Sequence, residues 1–227
     1  MPLLGVDQLD VAYGPITAVS ATSFEVAEGE IVSICGESGA GKSTLLAAIS
    51  GLVPTRAGEV RYRRRLITGL PPHAIVRLGI GHCPQGRRLF SRMTVRENLE
   101  LGGYTQRDAW QLRRDISEAC ELFPILGTRM NRPAIALSAA EQQMLAVARA
   151  MVGRPRLLLL DEPSTGMPQP IARQLFDVIG SLTARGIAAV VVEQVGCVGM
   201  VPAGRRWLME QGRLRPLSDR YPDLSPQ

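Results

Sequence analysis

The sequence predicts an α/β fold in which a mostly parallel sheet is covered by helices on both faces. Two apolar runs, residues 157–160 and 187–192, have the length and unbroken hydrophobicity of buried parallel strands. A segment with helical spacing, about 169–185, lies between them and gives the strand–helix–strand order of such folds. A helical block at about 87–152 interrupts this order, which predicts a helical lobe inserted between two strands.

The predicted strands flank this block, and two of them contain the apolar runs named above. They are expected around 5–13, around 19–26, at 30–35, at 78–85, at 156–164 and at 186–194. The strand at 30–35 runs straight into a glycine-rich stretch, and the helix that follows is expected to stop near Gly51. The last dozen residues, 216–227, are predicted to form a loosely held tail.

Within the helical block, two helix starts are predicted from capping boxes. Thr94 is followed three residues later by Glu97, and Ser138 is followed in the same way by Glu141. The second of these helices is expected to cover 138–153, and a further helix is predicted at 107–123 from its apolar spacing.

Length and composition exclude several classes of protein. The chain has 227 residues, 45% of them hydrophobic, which is enough for a full core as one domain or as a core with an inserted lobe. No stretch approaches the roughly 18–20 apolar residues that span a bilayer, and the N-terminal residues have no signal-peptide pattern. Four scattered cysteines indicate a reduced, cytosolic compartment and argue against a structural zinc site.

The net charge of +5 and the pI of about 9.4 allow a basic surface to meet nucleic acid, anionic lipid or an acidic partner. The densest basic cluster is residues 61–65, RYRRR. It is interpreted first as a solvated loop or strand edge and second as a lipid or partner contact, and no nucleic-acid motif accompanies it. His73 and His82 fall outside every motif; we expect the first in a loop or helix start and the second buried in a strand.

The glycine-rich stretch carries the first functional motif. Gly36, Gly41, Lys42 and Ser43 match the pattern G-x-x-x-x-G-K-[ST], with a predicted strand before it and a helix after it. Such a loop turns successive backbone N–H groups and a helix N-terminus toward a phosphate. The expected ATP-binding residues of this loop are Gly36, Glu37, Ser38, Gly39, Ala40, Gly41, Lys42, Ser43 and Thr44, with Ser43 placed to bind Mg²⁺.

Lys42 is the only lysine of the chain, and the other 25 of its 26 basic residues are arginine. A phosphate cradle needs a compact charge on a flexible stem, whereas the planar fork of arginine is larger. The single lysine is therefore interpreted as retained where arginine cannot replace it, the alternative being chance survival in a turn.

Two carboxylates follow the apolar run at 157–160. Asp161 is expected to hold Mg²⁺ through its water shell, and Glu162 is expected to polarise the attacking water as a catalytic base. Acidic pairs at strand ends also serve as helix caps or surface turns, so this assignment depends on the phosphate loop upstream.

Two further segments carry a family resemblance. LSAAEQQ at 137–143 resembles the signature helix of ABC-type ATPases, usually LSGGQ or LSGGEQ, and CPQG at 83–86 resembles their Q-loop. The resemblance covers nearly the whole chain. It implies a P-loop (RecA-like) core with a mostly parallel sheet, an antiparallel β subdomain and an inserted helical subdomain. As a single ABC ATPase domain over 1–227, the core would cover about 1–86 and 153–215, the helical subdomain about 87–152 and the tail 216–227.

The resemblance also implies roles for three residues around the nucleotide. Tyr13 would stack on adenine, unless it is simply an aromatic at a strand end. Gln85 would contact Mg²⁺ and sense the γ-phosphate, unless it is an ordinary turn residue. Gln194 stands where many family members carry a histidine; it could donate a hydrogen bond to the γ-phosphate but could not carry a charge. A surface position after a strand is the alternative for Gln194.

The signature residues would act on another subunit. By the resemblance, Ser138 and the backbone amides of Ala139, Ala140 and Glu141 would cap the γ-phosphate of an ATP held by the opposite subunit. Residues 139 and 140 are alanine where the family has glycine. The effect of the two methyl groups is expected to be small if the backbone is helical there and large if a methyl meets the phosphate. Our hypothesis is that this signature slows or weakens closure of the partner's site.

Finer features, among them VVVEQ, resemble an ATP-binding subunit of bacterial branched-chain amino-acid importers, whose close relatives handle urea and short amides. This implies a second ATPase subunit, identical or different, two membrane permease subunits, and a periplasmic binding protein as an indirect partner. The chain would lie on the cytoplasmic face of the inner membrane and would not bind nucleic acid. The alternatives are a cytosolic ABC-type switch, a small P-loop kinase or an inactive subunit. Residues 195–206 are glycine-rich where the resemblance implies a helix.

Overall fold

A computed structural model of the chain describes residues 2–217. Its main sheet has six strands in the order β10-β9-β3-β8-β7-β6, and all neighbours are parallel except the β9–β10 pair. These strands are β3 (Ile31–Cys35), β6 (Ile80–Cys83), β7 (Leu157–Asp161), β8 (Ala188–Glu193), β9 (Arg205–Glu210) and β10 (Arg213–Pro216). The predicted α/β class and mostly parallel sheet are confirmed.

A second, antiparallel sheet lies on the main one. Its order is β2-β1-β4-β5, and it is formed by β1 (Leu4–Tyr13), β2 (Ile16–Val26), β4 (Ala57–Tyr62) and β5 (Arg65–Leu66). The RYRRR cluster therefore lies in the β4–β5 hairpin, as the strand-edge interpretation predicted. Tyr62 is buried, whereas the arginines of the cluster are exposed.

Helices occur at the predicted positions, together with two short ones, at 72–77 and 124–128, that were not predicted. They are α1 (Lys42–Ile49), α2 (Pro72–Arg77), α3 (Val95–Gly102), α4 (Ala109–Leu122), α5 (Pro124–Thr128), α6 (Ala139–Val152) and α7 (Gln169–Thr183). Four of them, α3 to α6, lie between β6 and β7 in the chain and form the inserted lobe. Both predicted capping boxes are present, at the start of α3 and of α6. No helix within residues 2–217 is long and apolar enough to cross a membrane.

Burial on both faces explains the unbroken hydrophobicity of the central strands. In β8, Val190 packs into an apolar cluster with α1 and the antiparallel sheet, whereas Val191 packs into a second cluster with α7 and the helical lobe. Leu159 and Leu160 of β7 divide between the two clusters in the same way. Because alternate side chains of a strand point to opposite faces, both faces need apolar residues.

Several predictions of detail need correction. The strand expected at 78–85 is limited to β6, because Gly79 takes a left-handed φ of +96° before it and the chain turns toward Gln85 after it. The stretch 195–206 contains a short 3₁₀ helix, Val195–Met200, and no α-helix. Residue 216, predicted as the start of the tail, lies in β10 and pairs with Trp207; residues 218–227 of the predicted tail lie outside the described part.

The histidine predictions are confirmed in part. His73 lies in the first turn of α2, and His82 lies in β6. The His82 side chain is only partly covered, but its Nε2 is fully buried and has no hydrogen-bond partner among the described residues.

Candidate active site

The phosphate-loop motif lies between β3 and α1, at the carboxyl end of the parallel strands. Gly41 caps α1 with a φ of +106°, which a residue with a side chain rarely adopts. The Lys42 Nζ atom donates to the carbonyl oxygens of Gly36 and Glu37, each at 2.8 Å. The loop is thereby folded around the ammonium group. At its apex, Glu37, Ser38 and Gly39 are exposed, whereas Ala40 is buried.

Both motif glycines are required by close backbone contacts. A Cβ atom on Gly36 would collide with the carbonyl oxygen of Met209 in β9, and one on Gly41 would collide with that of Ala18 in β2. The loop is therefore wedged between the antiparallel sheet and the β9–β10 hairpin.

The predicted metal ligands converge at the end of β7. Ser43 Oγ donates to Asp161 Oδ1 at 3.1 Å, and the backbone N–H of Gln85 lies 3.4 Å from Asp161 Oδ2. Burial raises the pKa of Asp161, and the hydrogen bond from Ser43 opposes this shift. A hydroxyl, a carboxylate and a side-chain amide oxygen form the all-oxygen donor set that Mg²⁺ prefers, so these three residues fit the ion.

Glu162 is buried, with a φ of +46°. Its Oε1 lies 3.7 Å from the Lys42 ammonium. Its Oε2 accepts hydrogen bonds from Gln85 Nε2 at 3.0 Å, Thr165 Oγ1 at 3.1 Å and Gln194 Nε2 at 3.4 Å. The Glu162 carboxylate is thus surrounded by three residues that separate segments of the sequence had predicted: Lys42, Gln85 and Gln194.

Glu193, at the end of β8, is a residue that the sequence analysis did not single out. Its carboxylate accepts the backbone N–H of Ser164 at 2.9 Å, and burial raises its pKa to about 7. The signal was a charged residue that ends an otherwise apolar strand, immediately before Gln194.

The remaining predicted residues lie apart from this group. Tyr13 is half exposed at the end of β1, and Ser138 is exposed as the N-cap of α6, with Ala139 and Ala140 as the first two helical residues. No hydrogen bond or ion pair recorded between the described residues joins them to the phosphate loop. Glu141 completes the capping box and pairs with Arg129.

The segment after Gln85 is tied to α6. Arg87 Nη1 donates to Gln142 Oε1 at 3.0 Å, and Arg149 donates to the carbonyl oxygens of Arg88 and Arg87 at 2.8 and 3.2 Å. The glutamine that touches Glu162 is therefore connected to the helical lobe by its own chain segment.

Known proteins share both the sequence and the fold. A family model described as ABC transporter matches residues 19–165. The high-affinity branched-chain amino acid transport ATP-binding protein BraG of Pseudomonas aeruginosa is 42% identical, over 93% of this chain and 91% of that protein. The corresponding protein LivG of Salmonella typhimurium is 32% identical, over 98% and 92%. A dimeric ATP-binding cassette, solved in a post-hydrolysis state with ADP and Pi, matches with a TM-score of 0.84 and 25% identity, over 93% and 96%.

A phosphate loop, a strand-end carboxylate pair and a parallel sheet define a P-loop nucleotide-hydrolysing protein. The match to the family model and the sequence identity with BraG identify the family within this class: the chain belongs to the ABC transporter family. It is an ATPase of that family.

Proposed function

We propose that the chain is the ATP-binding and ATP-hydrolysing subunit of an importer for branched-chain amino acids. The observation that carries the ATPase role is the convergence of Lys42, Gln85 and Gln194 on the buried Glu162 carboxylate. The transported substrate is proposed from the relatives BraG and LivG, which are named for branched-chain amino acid transport.

The proposed nucleotide site uses the residues predicted from the sequence. Tyr13 would stack on the base, and the loop from Gly36 to Thr44 would wrap the triphosphate with its N–H groups. Ser43, Gln85 and Asp161 would hold Mg²⁺, which when bound neutralises charge on the phosphate oxygens.

Hydrolysis would depend on Glu162 as the general base and on Gln194 as a donor to the γ-phosphate. The Lys42 ammonium is shared between two carbonyl oxygens and the Glu162 carboxylate. A triphosphate would draw this cation toward the β- and γ-phosphates. The Glu162 carboxylate would then be free to accept a proton from the attacking water.

The proposed assembly places a second ATPase subunit against the exposed start of α6, so that Ser138, Ala139, Ala140 and Glu141 cap the partner's γ-phosphate. Permease subunits would bind beside the Gln85 segment, at the cytoplasmic face of the inner membrane. Support comes from a groove of about 560 Å³ next to that segment, flanked by the exposed side chains of Phe90, Leu101 and Tyr104. Such apolar exposure is typical of protein contacts.

Replacement Glu162→Gln tests the assignment of the base. Removing a general base slows a reaction by typically 10²- to 10⁴-fold, so we expect at least about a 100-fold loss of ATP hydrolysis with magnesium-dependent ATP binding retained. The exposed Glu59→Gln on β4 is the control and should hydrolyse ATP at the normal rate. A normal rate in Glu162→Gln would overturn the assignment, and absence of magnesium-dependent ATP binding in the unaltered chain would overturn the whole proposal.

The substrate is tested separately by uptake in cells that lack this chain. Loss of leucine, isoleucine and valine uptake, restored by the unaltered chain and not by Glu162→Gln, is expected. Loss of urea or short-amide uptake instead would assign the chain to that importer type. Normal uptake of all of them would favour a cytosolic switch.

A further inference from the structure

The turn that carries Glu162 is contacted by three successive residues at the end of β8. The carbonyl oxygen of Val192 accepts the backbone N–H of Glu162 at 2.9 Å. The Oε1 atom of Glu193 accepts the backbone N–H of Ser164 at 2.9 Å. Gln194 Nε2 lies 3.4 Å from Glu162 Oε2. Of these three contacts, only the one made by Glu193 holds a residue of the turn other than Glu162, namely Ser164.

This anchor matters because the Glu162 backbone lies in the left-handed region, with a φ of +46°. A residue with a side chain keeps such a conformation only when its surroundings impose it. Two hydrogen bonds close the turn internally, from Thr165 N–H to the Glu162 carbonyl at 3.2 Å and from Met167 N–H to the Ser164 carbonyl at 3.0 Å. The contact from Glu193 connects this closed turn to the sheet.

Glu193 is also an unusual residue for its position. It is 1% exposed, and the five residues before it in β8 are all apolar and buried. Burying a carboxyl is unfavourable unless hydrogen bonds compensate. Its carboxylate accepts the Ser164 N–H, the nearby negative charge of Glu162 adds to the unfavourable effect of burial, and no ion pair within residues 2–217 joins it to a cation. An apolar residue would satisfy packing at this point without the electrostatic penalty.

We propose that Glu193 is a positioning residue for ATP hydrolysis: its buried carboxyl anchors Ser164 and so fixes the turn that aims Glu162 at the attacking water. The inference rests on the proposed function, because it takes Glu162 as the base. Glu193 has no recorded contact with Lys42 or Ser43 among the described residues, so its role separates from nucleotide binding.

The test compares Glu193→Ala with Glu193→Gln in the full chain, in the assembly in which it hydrolyses ATP. Misplacing a reacting group by about 1 Å slows a reaction by about 100-fold. We therefore expect kcat to fall roughly 10- to 100-fold in Glu193→Ala, with the KM for ATP changed less than about 2-fold. Glu193→Gln keeps a carbonyl oxygen for the Ser164 N–H and should recover most of kcat. Asp115→Asn, which changes a buried carboxyl of α4, is the matched control and should leave kcat unchanged.

Hydrogen exchange gives a readout that does not depend on activity. The amides of residues 164–167 should exchange faster in Glu193→Ala and at the normal rate in Glu193→Gln. Unchanged exchange and unchanged kcat in Glu193→Ala would overturn the inference, as would equal losses of kcat in both variants. An active Glu162→Gln would instead overturn the proposed base, whatever Glu193→Ala does.

Discussion

At the scale of single residues, Lys42 and Gly41 illustrate why this phosphate loop tolerates so little change. The Lys42 ammonium lies between two carbonyl oxygens of its own loop and within 3.7 Å of Glu162 Oε1. The guanidinium of arginine is a wider, planar group with a fixed pattern of five donors. The side chain is 4% exposed, which leaves little space for a larger head group.

Gly41 gives a residue-scale prediction with a matched control. Both Gly39 and Gly41 have a left-handed φ, +80° and +106°, but an added Cβ meets nothing within 4 Å at Gly39 and collides with the Ala18 carbonyl at Gly41. We expect Gly41→Ala to be less stable than Gly39→Ala by about 1–3 kcal/mol, the usual effect of overpacking.

Urea unfolding of the two variants without nucleotide measures this difference. A conformational penalty for left-handed alanine applies at both positions and cancels in part in the comparison. Equal free energies of unfolding would mean that the phosphate loop is not wedged against β2 in solution.

The site residues divide into those that sequence could predict and those that it could not. Lys42 was predicted from the spacing of its own motif, and Asp161 and Glu162 were predicted from an acidic pair at a strand end that was interpreted together with the phosphate loop upstream. Glu193 acts on Ser164, 29 residues away, through a contact between a strand end and a turn. A single sequence contains no local signal for such a contact.

At the scale of elements, the start of α6 shows whether the signature requires glycine at residues 139 and 140. Ala139 and Ala140 are the first two helical residues after the Ser138 cap, and neither has a positive φ. Their backbone conformation therefore does not require glycine, and alanine favours the helix. The remaining effect of the two alanines is the space that their methyl groups occupy at the start of α6, where Ala139 is exposed and Ala140 is half-buried.

The combined change Ala139→Gly and Ala140→Gly tests the effect of these methyl groups on the partner's ATP site. We expect ATPase turnover of the assembled complex to rise, because the backbone amides can approach a phosphate more closely. The folded chain should lose up to about 1 kcal/mol of stability for each glycine, as measured by urea unfolding.

Ala109→Gly is the control for this prediction. Ala109 is also an exposed first helical residue, in α4 after the Asp108 cap. The change should lower stability to a similar extent and leave turnover unaltered. Unchanged turnover after replacement of Ala139 and Ala140 would remove the hypothesis that the signature alanines slow the site.

Element prediction succeeded where the signal was local. The capping boxes of α3 and α6 were predicted to the residue, because a cap bonds only to residues three positions away. The β9–β10 hairpin was not predicted, because its short arginine-rich strands are recognised only by the pairing of β9 with β3 and of β10 with β9. The antiparallel sheet was implied only by the family resemblance.

At the scale of the whole molecule, two titratable groups act on stability in opposite directions: Glu193, which is buried, and His82, whose Nε2 atom is buried. Burial lowers the pKa of His82 to about 4 from 6.5 and raises that of Glu193 to about 7 from 4.5. His82 therefore favours the folded state above about pH 6.5 and loses this contribution as the pH falls toward 4. Glu193 favours it below about pH 4.5 and loses this contribution as the pH rises toward 7.

Between about pH 4.5 and 6.5 the two groups change the free energy of unfolding in opposite directions. The effect of each group on stability should therefore become visible when the other group is removed. One pKa unit corresponds to about 1.4 kcal/mol. Relative to the unaltered chain, Glu193→Gln should gain roughly 2 kcal/mol in free energy of unfolding between pH 5 and 7. His82→Gln should gain a similar amount, about 2 kcal/mol, as the pH falls from 7 to 5.

Urea unfolding at half-unit steps of pH measures these differences, with the double variant as the control. In the double variant the two changes should cancel, so that its difference from the unaltered chain stays nearly constant between pH 5 and 7, because β8 and β6 are separated by β7 and the two effects should add. Differences that stay constant with pH in both single variants would mean that neither pKa is shifted in solution as this fold implies.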